Sequence, residues 1–283
     1  MTGAPEAGSP EVGPGEEIGP AGVPRQVTAR ATWLLAPNPG PMTFDGTNSW
    51  VLHEPGRRGA VIVDPGPDHP DHLAALVKLA VEAGGEVTAI LLSHGHFDHS
   101  QAVPELARRT GAPVFAATRE WADQVIGGDG PQTLELAGLR IEVIPTPGHS
   151  EDSLSFLLPD DGSMLTGDTV LGRSAPIMLD VGQMISSLRT IRSLVGGGEH
   201  IVLPGHGPVV AEPGPLLTFA LEAREARLVQ IEQAVRDGCR SLSAIAERLY
   251  GRLDERIRRP VEATVAAHVR YLRDVGRITW SEG

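Results

Sequence analysis

Residues 93–99 read Ser93-His94-Gly95-His96-Phe97-Asp98-His99, and how that run is placed decides the fold. The apolar stretch Thr88–Leu92 ends just before it, and a helical pattern starts just after it at Gln101. The run is therefore a loop between a strand and a helix, where polar side chains can converge without disturbing a core. Three imidazoles and a carboxylate at this spacing are the donors that hold zinc in hydrolytic sites. A merely solvated loop would call for neither the spacing nor the chemistry.

Outward from this loop the chain alternates short apolar runs with helical stretches. Strands are expected at Val27–Leu35, Ser49–His53, Ala60–Val63, Val87–Leu92, Val114–Ala116, Arg140–Ile144, Leu154–Leu158, Ser163–Leu165 and Ile201–Leu203. Helices are expected at Pro70–Ala83, with Asp68 as cap and Gly84-Gly85 as stop, and at Gln101–Thr110 and Gly182–Leu194. The alternation predicts α/β architecture, with sheets sandwiched by helices. Three of the later strands are followed by a loop with one more donor directly after a glycine: His149 after Gly148, Asp168 after Gly167 and His206 after Gly205. A glycine there lets backbone approach a crowded site. With the first loop these supply seven donors, enough for two zinc ions sharing a bridging carboxylate.

The 283 residues are 41% apolar and 21% charged, enough to bury a core. No apolar run is long enough to span a membrane. The first 25 residues hold one basic residue, Arg25, and no apolar block, so no secretory leader is expected. Residues 1–25, rich in Gly, Pro and Glu, read as a disordered tail. One cysteine, Cys239, can form neither an internal disulfide nor a cysteine-rich zinc site, which fits a reducing, cytoplasmic setting. The formal charge of −12 argues against nucleic-acid binding by the whole surface. It is unevenly spread: residues 215–283 carry 12 Arg against 10 acidic residues, and the preceding 214 carry 12 basic against 26 acidic residues.

The texture changes near residue 214. Pro215–Asp237, Ser241–Tyr250 (capped by Ser241) and Pro260–Val275 read as helices and Arg277–Trp280 as a short strand, together similar to a small winged helix. The expected organisation is a tail over 1–25, a catalytic domain over 26–214 and a winged-helix-like domain over 215–283.

The order of donors resembles the metallo-β-lactamase superfamily, and the motifs cover most of residues 27–210. The resemblance implies an αβ/βα sandwich with metals at the sheet edges. It implies that His94, His96 and His149 hold one zinc, that Asp98, His99 and His206 hold the other, and that Asp168 bridges them. Asp64, in Val61-Ile62-Val63-Asp64-Pro65-Gly66, matches the family's first motif and should fix ligand and loop geometry from behind. His69, His72, His200 and His268 fall in helices or loops without partners, and His53 has no assigned role. Two Zn²⁺ against Asp98, Asp168 and a bridging hydroxide leave about +1, favourable to an anionic substrate or oxyanion. The same donors would accept Mn²⁺ or Fe²⁺. Asp98 is also a candidate to move a proton, within the limits of its ligand role.

Departures narrow the substrate. The best-known β-lactamase subclass has Cys where Asp168 stands, and flavodiiron relatives have an acidic residue where His96 stands. The 37 residues between Asp168 and His206 leave no room for a large nuclease insert. Upstream, Asn38-Pro-Gly-Pro-Met-Thr43-Phe-Asp-Gly46-Thr47-Asn48 is similar to a stretch of the β-lactamase-like protein 2 branch, which also carries a winged-helix-like C-terminal domain. That resemblance implies a zinc-dependent endoribonuclease acting on single-stranded RNA, with Arg252, Arg256, Arg258, Arg259, Arg270 and Arg273 available to a phosphate backbone. The alternative is a thioester or ester hydrolase, acting on acyl-CoA or acyl-carrier-protein thioesters in the manner of glyoxalase II. A β-lactamase, or a DNA-binding regulator using the winged helix, comes behind both. A homodimer is left open.

Overall fold

The computed structural model describes residues 19–281, except residues 129, 131, 174, 175 and 177 and the side chain of Arg256. Residues 1–18 of the expected tail lie outside the described residues. In chain order the strands are β1 (Arg25–Gln26), β2 (Ala31–Leu35), β3 (Asn48–Leu52), β4 (Ala60–Val63), β5 (Val87–Leu91), β6 (Val114–Ala116), β7 (Gln124–Val125), β8 (Gln132–Leu136), β9 (Leu139–Pro145), β10 (Leu154–Leu158), β11 (Ser163–Gly167) and β12 (Ile201–Pro204). The helices are α1 (Pro70–Gly84), α2 (Phe97–Ser100), α3 (Val103–Thr110), α4 (Val181–Val195), α5 (Pro213–Arg236), α6 (Leu242–Tyr250) and α7 (Glu255–Asp274).

Strands β1 to β7 form one sheet in sequential order, antiparallel up to β4 and parallel from β4 onward. The second sheet runs β12-β11-β10-β9-β8, with only the β11–β12 pair parallel. Alternation along each strand sends side chains to opposite faces. Val61, Val63, Leu91, Phe156, Leu158, Leu165 and Leu203 meet between the sheets, with Trp33 and Trp50. Ile62 and Ile90 turn outward onto Leu73, Leu76 and Leu106 of α1 and α3. Leu157, Met164 and Val202 turn outward onto α4. The layers are helix, sheet, sheet, helix, as the αβ/βα expectation requires. Strands buried on both faces explain why they read as unbroken apolar runs.

Several elements differ from the sequence reading. Val27–Leu35 is not one strand, because Thr28 turns the chain: its Oγ1 accepts from the N–H groups of Arg30 and Ala31, making β1 and β2 a hairpin. Asp68 does not cap α1; His69 occupies that position, without a side-chain hydrogen bond. The helix expected from Pro260 begins at Glu255, so the proline lies inside it. Arg277–Trp280 is not a strand. The Arg277 N–H donates to Leu272 O and its guanidinium to Glu232 and Glu225 on α5, and among the described residues no strand follows β12. The C-terminal region is thus three helices without a β wing. They are not packed apart from the sandwich: Leu228, Ile231, Ile245 and Val265 share one apolar cluster with Leu188 and Ile191 of α4.

Candidate metal centre

The second sheet and the parallel half of the first end along one edge, and the loops leaving that edge carry every donor named from the sequence. β5 leads into His94, His96, Asp98 and His99. The loops after β9, β11 and β12 bring His149, Asp168 and His206. All seven converge. Donor atoms of His94, His96 and His149 lie mutually within 4.8 Å, as do those of Asp98, His99 and His206. Asp168 reaches both groups: Oδ2 is 3.6 Å from His149 Nε2 and 3.5 Å from His206 Nε2, and Oδ1 is 3.4 Å from His99 Nε2.

The rings are aimed from behind. Asp64 stands at φ +49, a left-handed conformation rare for a non-glycine residue. Its carboxylate accepts from Ser93 N–H (2.7 Å), Ser93 Oγ (2.6 Å) and His99 Nδ1 (3.0 Å). Because Ser93 Oγ donates to Asp64, it receives the Nδ1–H of His94 at 3.0 Å. His206 donates Nδ1–H to Gly46 O at 2.9 Å. In His94, His99 and His206 this fixes Nε2 as the nitrogen left to face the centre.

Sequence reasoning missed Ser93, which links Asp64 to His94, and the role of Asn48. The Asn48 amide donates to Pro204 O and Gly207 O, both at 2.9 Å, and so clamps the His206 loop. Asn48 ends the stretch Asn38–Asn48 that carries the branch resemblance, which assigned it no bracing role. Two histidines read as partnerless are not so: His72 Nε2 meets Ser49 Oγ at 2.9 Å, and His268 donates to Thr264 O at 2.7 Å.

Glycine is required where the backbone of the donor loops is crowded, by the donors at Gly205 and by α4 at Gly148. A Cβ at Gly205 would lie 2.5 Å from Asp168 Oδ1 and 2.8 Å from a carbon of the His99 ring. At Gly148, with φ +135, it would strike the Met184 backbone at 2.5 Å.

Burial and mutual contacts set the charges of the donors. Burial drives the His94 imidazole well below its ordinary value, aided by neighbouring imidazoles. Burial also opposes charge on His206, but hydrogen bonds to Asp168 and Asp98 overcome it and push that ring up to about 9. Burial would raise the Asp168 carboxyl, yet His99 and His206 outweigh it and hold the group well below the carboxylate range.

The donor set fits metal ions. His96 Nδ1 lies 3.0 Å from His94 Nε2 and 2.9 Å from His149 Nε2. One proton bridges two of those nitrogens well, whereas a divalent cation takes a lone pair from each. Asp168 Oδ1 is buried without a hydrogen-bond partner, a costly state for a carboxylate oxygen unless a cation meets it.

Comparison with known proteins agrees. Solved structures share the fold: a beta-lactamase domain protein from Burkholderia ambifaria superposes with a TM-score of 0.80 at 19% identity, covering 95% of this chain and 93% of that one. A metallo-beta-lactamase family protein from Thermus thermophilus gives 0.70 at 22% identity, covering 89% and 95%. Among curated relatives, the atrochrysone carboxyl ACP thioesterase of Aspergillus fumigatus is 28% identical over 266 residues, 88% of this chain and 80% of its own. The lactamase-like protein nscB of Trichophyton equinum is 30% identical over 242 residues, 79% of this chain and 71% of its own. Residues 42–206, which span all the converging donors, match the profile of the Metallo-beta-lactamase superfamily. With fold, sequence and profile in agreement, this chain is a hydrolase belonging to the metallo-β-lactamase superfamily.

Proposed function

We propose that the protein is a binuclear, zinc-dependent thioester hydrolase that releases a carboxylate and a thiol. His94, His96 and His149 would hold one ion, Asp98, His99 and His206 the second, and Asp168 would touch both. When bound, such a pair supplies water acidified to a pKa of about 7 and a positive field for the developing oxyanion. The chain's own residues do the rest. Ser93, Asp64 and Gly46 O hold three rings in one tautomer. Asp98, its side chain 27% exposed against 10% for Asp168, is the more open carboxylate and stands where a proton can pass between site and solvent.

One observation carries the choice of substrate. The loops that bear or brace the donors contain a single Lys or Arg, Arg173, and its guanidinium is tied to Asp45 at 3.1 Å. Lys and Arg supply most of the electrostatic attraction for a phosphodiester backbone; an acyl thioester group calls for none. The relatives named above include a carrier-protein thioesterase and no nuclease. Single-stranded RNA, the first expectation from sequence, therefore gives way to the thioester reading.

The test is direct. Zinc-loaded protein is offered decanoyl-CoA, an acyl-carrier-protein thioester and a labelled single-stranded RNA. Thiol release from either thioester, with the RNA intact, is expected. RNA cleavage without thiol release would overturn the reading.

A further inference from the structure

The three most exposed large apolar side chains among the described residues are Phe97 (75%), Met42 (59%) and Leu179 (53%). They are remote in sequence, yet each lies on a loop that carries or braces a donor. Phe97 stands between His96 and Asp98 at the start of α2. Met42 belongs to the turn closed by the Gly40–Phe44 bridge, whose Phe44 ring meets the His206 ring edge-on at 6.3 Å. Leu179 donates its N–H to Gly148 O at 2.7 Å, one residue from His149. Isolated exposed apolar residues need no explanation. Here the extremes of the whole described surface coincide with three separate approaches to one polar centre. Arg173, the one Lys or Arg on these loops, is paired with the Asp45 carboxylate.

We infer that Phe97, Met42 and Leu179 form an apolar seat for the acyl chain of the substrate, so that the enzyme selects extended acyl groups over acetyl. This rests on the thioester reading of the same site. A chain laid on such a seat leaves water carbon by carbon, giving about two- to fourfold in kcat/KM per added CH₂ until the seat is filled.

The experiment measures kcat/KM of zinc-quantified, full-length protein on straight-chain acyl-CoA thioesters from acetyl to decanoyl. Binding of the non-hydrolysable thioether S-decyl-CoA is followed in parallel by calorimetry. The expected result is a series rising at least about 100-fold overall, with thioether binding that carries a negative heat-capacity change. Phe97→Ser should cut the decanoyl-to-acetyl ratio about tenfold or more with zinc content unchanged. Leu179→Ser, at a residue with no donor as its sequence neighbour, should cut it in the same direction. A flat series with thioester turnover intact would overturn the seat and leave the thioester reading standing. No turnover of any thioester would overturn that reading and the seat with it.

Discussion

At the donor edge, inward histidines are tied from behind: His94 by Ser93, His99 by Asp64, His206 by Gly46 O. In the C-terminal helices, His268 spends its Nδ1–H on Thr264 O and leaves a buried Nε2 without a partner, and the buried Arg224 has none at Nε. The first region fixes polar groups in place for something that arrives. The second tolerates polar groups one at a time, because its stability comes from Leu228, Ile231, Ile245 and Val265 packed against α4. Substitutions in the two regions should therefore move different observables.

The largest effect is expected at Asp168, whose oxygens touch both histidine groups. Removing a residue that merely supports a ligand costs about 10–100-fold in metal affinity or activity. Asp168→Ala should lose more than that in zinc-dependent thiol release, while its metal-free form melts no lower than the metal-free parent. Wild-type turnover in this variant would erase the distinction between the regions. Leu228→Ala should do the reverse: a loss of about 2–5 kcal/mol in stability with residual turnover per folded molecule unchanged. Because its apolar cluster joins α5–α7 to α4, denaturant unfolding should remain one transition. Two separate transitions would mean that the helices fold on their own.

His268 sharpens the comparison by pH. Its folded value is lowered to about 4, first by burial, whereas the unfolded chain titrates it near 6.5. The unfolded state therefore takes up the proton first, and this residue's contribution to stability is lost as pH falls from 6.5 to 4, by up to about 1.4 kcal/mol per pH unit. The stability advantage of the parent over His268→Gln should shrink across that window in urea titrations; a constant difference would contradict the buried, neutral ring. Gly205→Ala, which drives a methyl toward Asp168 and His99, should destabilise by about 1–3 kcal/mol and lower zinc occupancy together. The smallest effect belongs to the exposed Arg259: Arg259→Ala should shift stability by less than about 0.5 kcal/mol and leave thioester turnover at the parent value.

The contrast also explains what could be read in the sequence. The donors were legible because each loop pairs ligand chemistry with a strand end, as in Leu203-Pro204-Gly205-His206. The sandwich was legible because strands buried on both faces are unbroken apolar runs. Ser93 and Asn48 were not, since a serine or an asparagine at a strand end looks like any turn residue until its partner 29 or 156 positions away is known. Arg277–Trp280 misled for a related reason. Its apolar residues alternate like a strand, but they pack on the helical core while Arg277 pairs with α5, and among the described residues no strand pairs with them.

The central claim is that seven side chains from one sheet edge grip two ions, with Asp168 common to both. Calorimetric titration of chelator-stripped protein with Zn²⁺ tests it most directly. The account predicts two ions per chain for the parent and fewer than two for Asp168→Ala and His206→Ala. No binding by the parent, or a stoichiometry that neither substitution changes, would contradict it.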